Sequence, residues 1–174
     1  RLETARLVLR PPMAKDFEAW AGFYADPECA LHIGGVQDRA TAWRSLAVMV
    51  GSWSLRGFSM FSVIEKSSGE WIGRLGPWQP EGWPGTEVGW GLRRKSWGQG
   101  YALEGAIAAI DWAFGALPWT EVVHTIRPDN VASQRLAARL GSVERGPTQL
   151  PGQFAHIPVR LWSQTRAQWF ARAR

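Results

Sequence analysis

The sequence predicts an α/β or α+β fold around a single mixed sheet. Three observations carry that expectation. Segments with strand alternation and segments with helical spacing follow one another along the chain. Some are joined by short polar turns of the hairpin kind, whereas strands at 87–92 and 121–126 are separated by a helix at 100–117, long enough for a parallel crossover. The length of 174 residues fits one domain over 1–174, which buries roughly 70% of its unfolded surface.

Arg6 to Arg10 alternates apolar and charged residues and stops at Pro11-Pro12, as a strand does. From Lys15 to Tyr24, Phe17, Trp20, Ala21 and Tyr24 recur at helical spacing, and Asp26-Pro27 ends the element. A loop at 27–38, with His32 and Gly34-Gly35, leads to a helix over about 39–55 marked by Ala42, Leu46, Met49 and Trp53. Phe58 to Ile64 alternates again, and Glu70 to Leu75 follows a Ser-Ser-Gly turn, so the pair reads as a hairpin. Prolines and glycines from Pro77 to Gly85 predict a loop.

In the strand Glu87 to Leu92, Val88, Trp90 and Leu92 share one face and Glu87, Gly89 and Gly91 the other. Two glycines there mark a bulge or a close approach. The next helix carries Leu103, Ala106, Ile107, Ile110, Phe114 and Leu117 on one stripe and ends at Pro118. Glu121 to Ile126 is a strand; Asp129 or Asn130 then caps a helix over about Val131 to Leu140, closed by Gly141. Ile157 to Trp162 is a further strand, and Thr165 with Gln168 fits a capping box opening a terminal helix.

Composition narrows the function. Hydrophobic residues make up 45% of the chain, yet no apolar run approaches the ~20 residues of a membrane span. Cys29 is alone, so no internal disulfide or cysteine metal cluster can form, and no signal-like segment opens the chain. A cytoplasmic protein is expected, with no membrane partner. The net charge of +5 suggests an anionic ligand. Its cations are scattered, without zinc-finger spacing or an RNA-binding signature, so no nucleic-acid partner is expected. His32, His124 and His156 show no ligand spacing, and no metal is expected. The 12 tryptophans serve core and loop packing, with some available to line a pocket.

The densest basic run, Arg93-Arg94-Lys95, lies in a glycine-spaced turn between the 87–92 strand and the following helix. The first N–H groups of that helix lack carbonyl partners and sit at the positive end of its dipole, which suits a pyrophosphate. Gly98 and Gly100 tolerate positive φ and let a ligand near the backbone. No Lys-Ser or Lys-Thr follows the last glycine, which excludes a P-loop, and Leu103 breaks the dinucleotide glycine pattern.

Lys95-Ser96-Trp97-Gly98-Gln99-Gly100 resembles the acyl-CoA pyrophosphate loop of the GCN5-related N-acetyltransferases, the GNAT family, with lysine where glutamine or arginine is usual. The resemblance covers nearly the whole chain and is closest to the ribosomal-protein N-terminal acetyltransferase-like (RimJ/RimL-type) branch. It rests on Thr4 to Arg10, Glu87 to Leu92, Trp97 to Glu104, Asn130 to Leu136 and Thr165 to Trp169. It implies a mixed, mostly antiparallel twisted sheet flanked by helices, with splayed central strands. It also implies acetyl-CoA as co-substrate and, as in many members, a homodimer.

By that resemblance, the pyrophosphate meets the backbone between Leu92 and Ala102, at the N–H groups of Gly98, Gln99, Gly100, Tyr101 and Ala102, beside Trp97. Arg93, Arg94 and Lys95 either add charge or form a solvated turn. Direct attack of an amine on the thioester needs a base, and Glu87, on the face of Gly89 and Gly91, is the candidate; the competing role is a sheet-edge carboxylate paired with an arginine. A backbone N–H of the bulged strand near Gly89 to Gly91 would meet the oxyanion. The tyrosine that protonates the thiolate in many members is replaced by Ala137. Ser133 could hydrogen-bond the sulfur or be an ordinary first-turn residue, and Asn130 could hold the pantetheine arm. Loops 27–38 and 147–156 would build the acceptor pocket, for a peptide N-terminus or a small amine such as an amino acid, polyamine or aminoglycoside-like compound. An acyl-CoA-binding protein without catalysis is the remaining class.

Overall fold

A computed structural model describes residues 1–172. In chain order the elements are β1 (Leu2–Glu3), β2 (Leu7–Arg10), α1 (Phe17–Ala25), α2 (Pro27–Ala30), α3 (Arg39–Arg56), β3 (Phe61–Glu65), β4 (Trp71–Trp78) and β5 (Glu87–Leu92). Then follow α4 (Tyr101–Ala116), β6 (Glu121–Ile126), α5 (Val131–Leu140), β7 (Val143–Thr148), β8 (Val159–Thr165) and α6 (Arg166–Ala171). One 8-stranded sheet runs β1-β2-β3-β4-β5-β6-β8-β7. Every neighbouring pair is antiparallel except β5 and β6, which are linked through α4.

Two apolar clusters cover opposite faces. Leu7, Leu9, Phe61, Val63, Leu75 and Val88 pack with Ala106, Ile110 and Phe114 of α4 and Trp169 of α6. Gly105 lets α4 lie close to the sheet, since a Cβ there would stand 3.1 Å from Leu75 Cδ1. On the other face Trp20, Phe23 and Tyr24 of α1 meet Leu46 and Met49 of α3, with Met60 and Trp71. Asp16, buried beneath α1, is held by Arg10 at 2.6 and 2.7 Å, by Ser62 Oγ at 2.7 Å and by the Met13 N–H at 2.9 Å. Burial works to raise its carboxyl, and those donors outweigh burial and hold it below its ordinary value.

The structure corrects several expectations. Asp26-Pro27 ends α1 but also starts α2, because the Asp26 side chain caps Glu28 N–H and Pro27 occupies a first-turn position needing no N–H. Pro77 and Trp78 belong to β4, not to a loop. Pro77 lies beyond the last β3 pair, Phe61 with Leu75, so its missing N–H removes no ladder bond. The last strand of the sequence reading begins at Val159 and runs to Thr165. Short β1 and the edge strand β7, which contains Gly146 and Pro147, have no apolar alternation to announce them.

The expected bulge is on a different strand. The register of β5 on β4 is unbroken from Leu92 to Glu87. The irregularity falls between β3 and β4, where Val63 pairs with Gly73 and Ile64 with Trp71, leaving Ile72 extra. As a result Trp71 and Arg74, three residues apart, both face the α1 side. The β5 glycines answer instead to close approach: a Cβ on Gly89 would lie 2.7 Å from Met60 Cε, and one on Gly91 3.0 Å from Phe23.

Candidate functional site

Strand β5 organises the site because α4 and β6 leave it at opposite ends. At its start, Glu87 pairs with Val123, the one parallel bridge between β5 and β6 among the described residues, and the strands then part. Thr86 O accepts from Val123 N at 3.0 Å. Val88 O, next on that side, is met by the His124 ring at 2.6 Å. Burial drives His124 down to about 4 from the ordinary 6.5, so the ring is neutral. With Nδ1 against a carbonyl, Nδ1 must carry the proton, and Nε2 at 3.0 Å accepts from Ser142 Oγ. Gln164 fixes that hydroxyl in turn, donating to it at 2.9 Å. His124 is thus a strand residue, wedged where the ladder stops.

Below the wedge a cavity of about 730 Å³ opens between the sheet face, α1, α3 and two loops. The loops are those the sequence indicated: His32, Ile33, Gly34 and Gln37 come from one, and Leu150, Pro151, Gln153 and Phe154 from the other. Glu87, Trp90, Asn130 and Ser133 share its wall.

Glu87 is 7% exposed. Burial raises its carboxyl to about 7 from 4.5, against the pull of hydrogen bonds from Trp83 and Thr125 and the more distant charge of Arg74. Trp83 Nε1 and Thr125 Oγ1 both donate to Oε2, at 2.5 and 2.8 Å. The other oxygen, Oε1, is turned toward Gly89, 3.2 Å from where a Cβ would stand. The competing sheet-edge role, in a pair with an arginine, does not occur: Glu87 forms no ion pair among the described residues. Trp83 and Thr125 were invisible to sequence reasoning, since neither lies in a recognisable motif.

Ser133 and Asn130 lie together because Asn130 caps α5, its Oδ1 accepting from Ser133 N–H at 3.1 Å. The Ser133 hydroxyl accepts from Trp90 Nε1 at 3.1 Å, which leaves its own proton for another acceptor. Ala137 is fully buried in α5 and brings no hydroxyl.

At the far end of β5 the turn has the expected form. Gly98 and Gly100 adopt φ of 72° and 81°, and nothing stands within 4 Å of a Cβ built on Gly98. Glu104 N bonds to Gly100 O, so the preceding N–H groups of Tyr101, Ala102 and Leu103 have no helical carbonyl. This open, donor-lined turn fits a pyrophosphate. Leu92 is buried, and its carbonyl accepts from Trp97 Nε1 at 2.7 Å. Gln99 bonds back to Lys95 O, and the Tyr101 hydroxyl reaches Glu65. Arg94 is paired with Glu28 and Asp26, and Lys95 with Glu70, whereas Arg93 forms no ion pair among the described residues. A brace the sequence did not reveal is Arg6, which bonds Gln99 O at 2.9 Å and Glu104 at 2.6 Å and lies over the Tyr101 ring. The turn residues Leu92 to Ala102 lie outside the cavity that Glu87 and Ser133 share.

No described helix is long and apolar enough to cross a membrane, and no group of three potential ligands among the described residues could hold a metal. An acetyltransferase from Agrobacterium tumefaciens str. C58, of known structure, is 29% identical and superposes with a TM-score of 0.84 over 95% of this chain and 94% of that one. The ribosomal-protein-S5-alanine acetyltransferase of Vibrio fischeri is 20% identical, with a TM-score of 0.74 over 97% of each chain. Spermidine N-acetyltransferase from Vibrio cholerae, solved with CoA and spermine, is 14% identical, with a TM-score of 0.77 over 96% of this chain and 99% of that one. The last two likenesses are of fold. No curated protein matches the chain in sequence. The sequence model of the acetyltransferase (GNAT) domain matches residues 6–143, most of the chain and all of the β5 to α5 unit that carries the site. The chain belongs to the GNAT acetyltransferase family.

Proposed function

We propose that the protein transfers the acetyl group of acetyl-CoA to a primary amine by direct attack. The carrying observation is Glu87: a buried carboxyl on the cavity wall raised to about 7, with one oxygen pinned by two donors and the other turned toward Gly89, which also lines the cavity. A base that titrates near neutral pH is matched to taking a proton from an ammonium.

The backbone turn from Gly98 to Ala102 would hold the pyrophosphate by charge-assisted N–H donors, with Arg93 the cation freest to join them. The bound acetyl-CoA supplies an activated thioester carbonyl. Glu87 Oε1 accepts the amine proton, directly or through water. The negative charge that gathers on the carbonyl oxygen is met by a backbone N–H of β5. Thr86 and Val88 direct their carbonyls toward β6, so period-two geometry turns Trp90 N–H the same way, into the gap where the ladder has ended. Ser133, its hydroxyl oriented by Trp90, donates toward the departing sulfur in place of the tyrosine that Ala137 replaces.

The motifs shared with the ribosomal-protein branch support a peptide N-terminus as acceptor, and the enclosed cavity suits a small amine equally. Ala137 favours a second reading, an acyl-CoA-binding protein without turnover. A thiol-release assay over peptides, amino acids and polyamines tests both. Release dependent on an amine supports transfer; tight acetyl-CoA binding without release on any acceptor overturns it.

A further inference from the structure

Arg74 is an oddity of the cavity. Only 6% exposed, it lines the wall from β4, on the same sheet face as Glu87. The extra residue Ile72 sends it there, since without that shift Trp71 and Arg74 would point to opposite faces. Its Nε donates to the Tyr24 hydroxyl at 2.8 Å and its Nη1 to Met60 Sδ. No carboxylate pairs with it among the described residues, although the other buried ion in that core, Asp16, is held by Arg10 in a two-pronged bridge. Glu87 feels the Arg74 charge only at a distance, and its own hydrogen bonds come from Trp83 and Thr125.

A guanidinium is costly to bury without an anion, and its fork matches a carboxylate in two parallel hydrogen bonds. The cavity supplies the remaining features of such a ligand site. Arg127 on its wall is paired with Asp129 and Glu81 with Arg56, which leaves Arg74 and, at the exposed rim, Arg44 against Glu87, so its charge does not favour a polycation. Ile33, Met60, Trp78, Trp83 and Phe154 make much of the remaining wall apolar and aromatic. Arg74 and Glu87 are staggered by four residues along the paired strands, roughly 13 Å at the backbone and less at the side-chain tips.

We propose that the acceptor amine carries a carboxylate, which the Arg74 guanidinium holds while the amino group reaches Glu87. The inference rests on the transfer reading above and narrows its acceptor to an amino-acid-like amine with an apolar body. The same chemistry is found on a free amino acid and on a peptide whose first residue is Asp or Glu.

The test compares CoA release with the common L-amino acids, their carboxamides and the corresponding decarboxylated amines, beside spermidine and peptide amides beginning with Ala, Asp or Glu. Wild-type protein should show a KM at least about tenfold lower for an acid than for its carboxamide, consistent with a charged hydrogen bond. In Arg74→Gln that difference should collapse through a rise in KM for the acid, and Arg74→Lys should recover part of it. The KM for acetyl-CoA reports whether the donor end is intact. If Arg74→Gln does not fold, Tyr24→Phe, which frees Nε of its hydroxyl partner, should give a smaller rise in the same direction. Preference for Asp- or Glu-led peptides over free amino acids supports the carboxylate and places it on a peptide. Carboxamides, Ala-led peptides or spermidine serving as well as acids would overturn the proposal and leave acetyl transfer standing. An equal rise for acids and carboxamides in Arg74→Gln would also overturn it. No release with any acceptor overturns both readings.

Discussion

Replacing Glu87 by glutamine should make the protein more stable and less active at once. The folded chain holds the Glu87 proton up to about pH 7, whereas an exposed glutamate gives it up near 4.5. Below pH 4.5 the group is neutral in both states and costs nothing. As pH rises the unfolded chain ionises first, and above pH 7 the penalty reaches its full size, about 3 kcal/mol for a shift of this extent. Glutamine never ionises, and its carbonyl oxygen can still accept from Trp83 and Thr125. Urea denaturation at pH 8 should therefore show Glu87→Gln more stable by about 2–3 kcal/mol, the gain vanishing by pH 4.5. Turnover should fall by about 10²- to 10⁴-fold, with loss of the limb of kcat/KM that rises near pH 7 and with acetyl-CoA affinity retained. A variant no more stable than wild type at pH 8 would mean the carboxylate is well satisfied as an anion. A near-normal rate would remove Glu87 from the chemistry.

Gly100→Val puts a branched side chain at φ 81°, 3.4 Å from Arg6 Nη2 at its first atom and beside the donor-lined turn. Acetyl-CoA affinity measured by calorimetry should drop by more than about tenfold with the circular dichroism spectrum unchanged; an unaltered affinity would move the pyrophosphate elsewhere. Ser133→Ala removes the hydroxyl beside Trp90 Nε1 and should lower kcat by up to about tenfold with little change in KM for acetyl-CoA, whereas an unchanged kcat would leave Ser133 an ordinary first-turn residue of α5. His124, neutral down to about pH 4 when folded but protonated below 6.5 when unfolded, makes stability fall with pH across that window by about 3 kcal/mol. In His124→Asn, whose amide can still donate to Val88 O, thermal denaturation between pH 7 and 4 should lose that part of the slope; an unchanged slope would assign it to other groups.

The sequence disclosed those parts of the site that depend on local backbone chemistry. The paired glycines at 98 and 100, the Asn130 cap and the alternation of β5 are each written in a few consecutive residues, and each has its expected geometry. What escaped were mostly contacts between residues distant in sequence. Arg6 bracing a turn some ninety residues on, Thr125 reaching Glu87, and Tyr24 meeting Arg74 are products of sheet order, which no local pattern encodes; Trp83 is only four residues from Glu87, but its approach depends on the path of an irregular loop. The misplaced bulge shows the same limit. Gly89 and Gly91 signalled that something comes close, and the signal was sound; Met60 and Phe23 supply the approach, while the extra residue sits at Ile72. Glycine content reports missing space, and which neighbour needs it is a tertiary fact.

The backbone of β5 supports the proposed placing of the chemistry beside Trp90. Thr86 O and Val88 O face β6 and Arg93 N bonds to β4, so by alternation residues 88, 90 and 92 turn their N–H and C=O groups toward β6. The ladder with β6 has ended by then, and each group needs another partner. Val88 O has the His124 ring, and Leu92 O has the Trp97 indole. Trp90 lies between them, its ring occupied with His124 and Ser133, its main chain facing the gap. Closing the sheet there would satisfy it, and the fold instead spends a buried histidine, a serine and a glutamine on keeping the strands apart. A strand edge held open between two capped carbonyls offers one donor and one acceptor to whatever enters. In the proposed transfer, Glu87 at one end of the same strand and the Gly98 turn beyond the other would set where that ligand's reacting carbonyl and its phosphates lie.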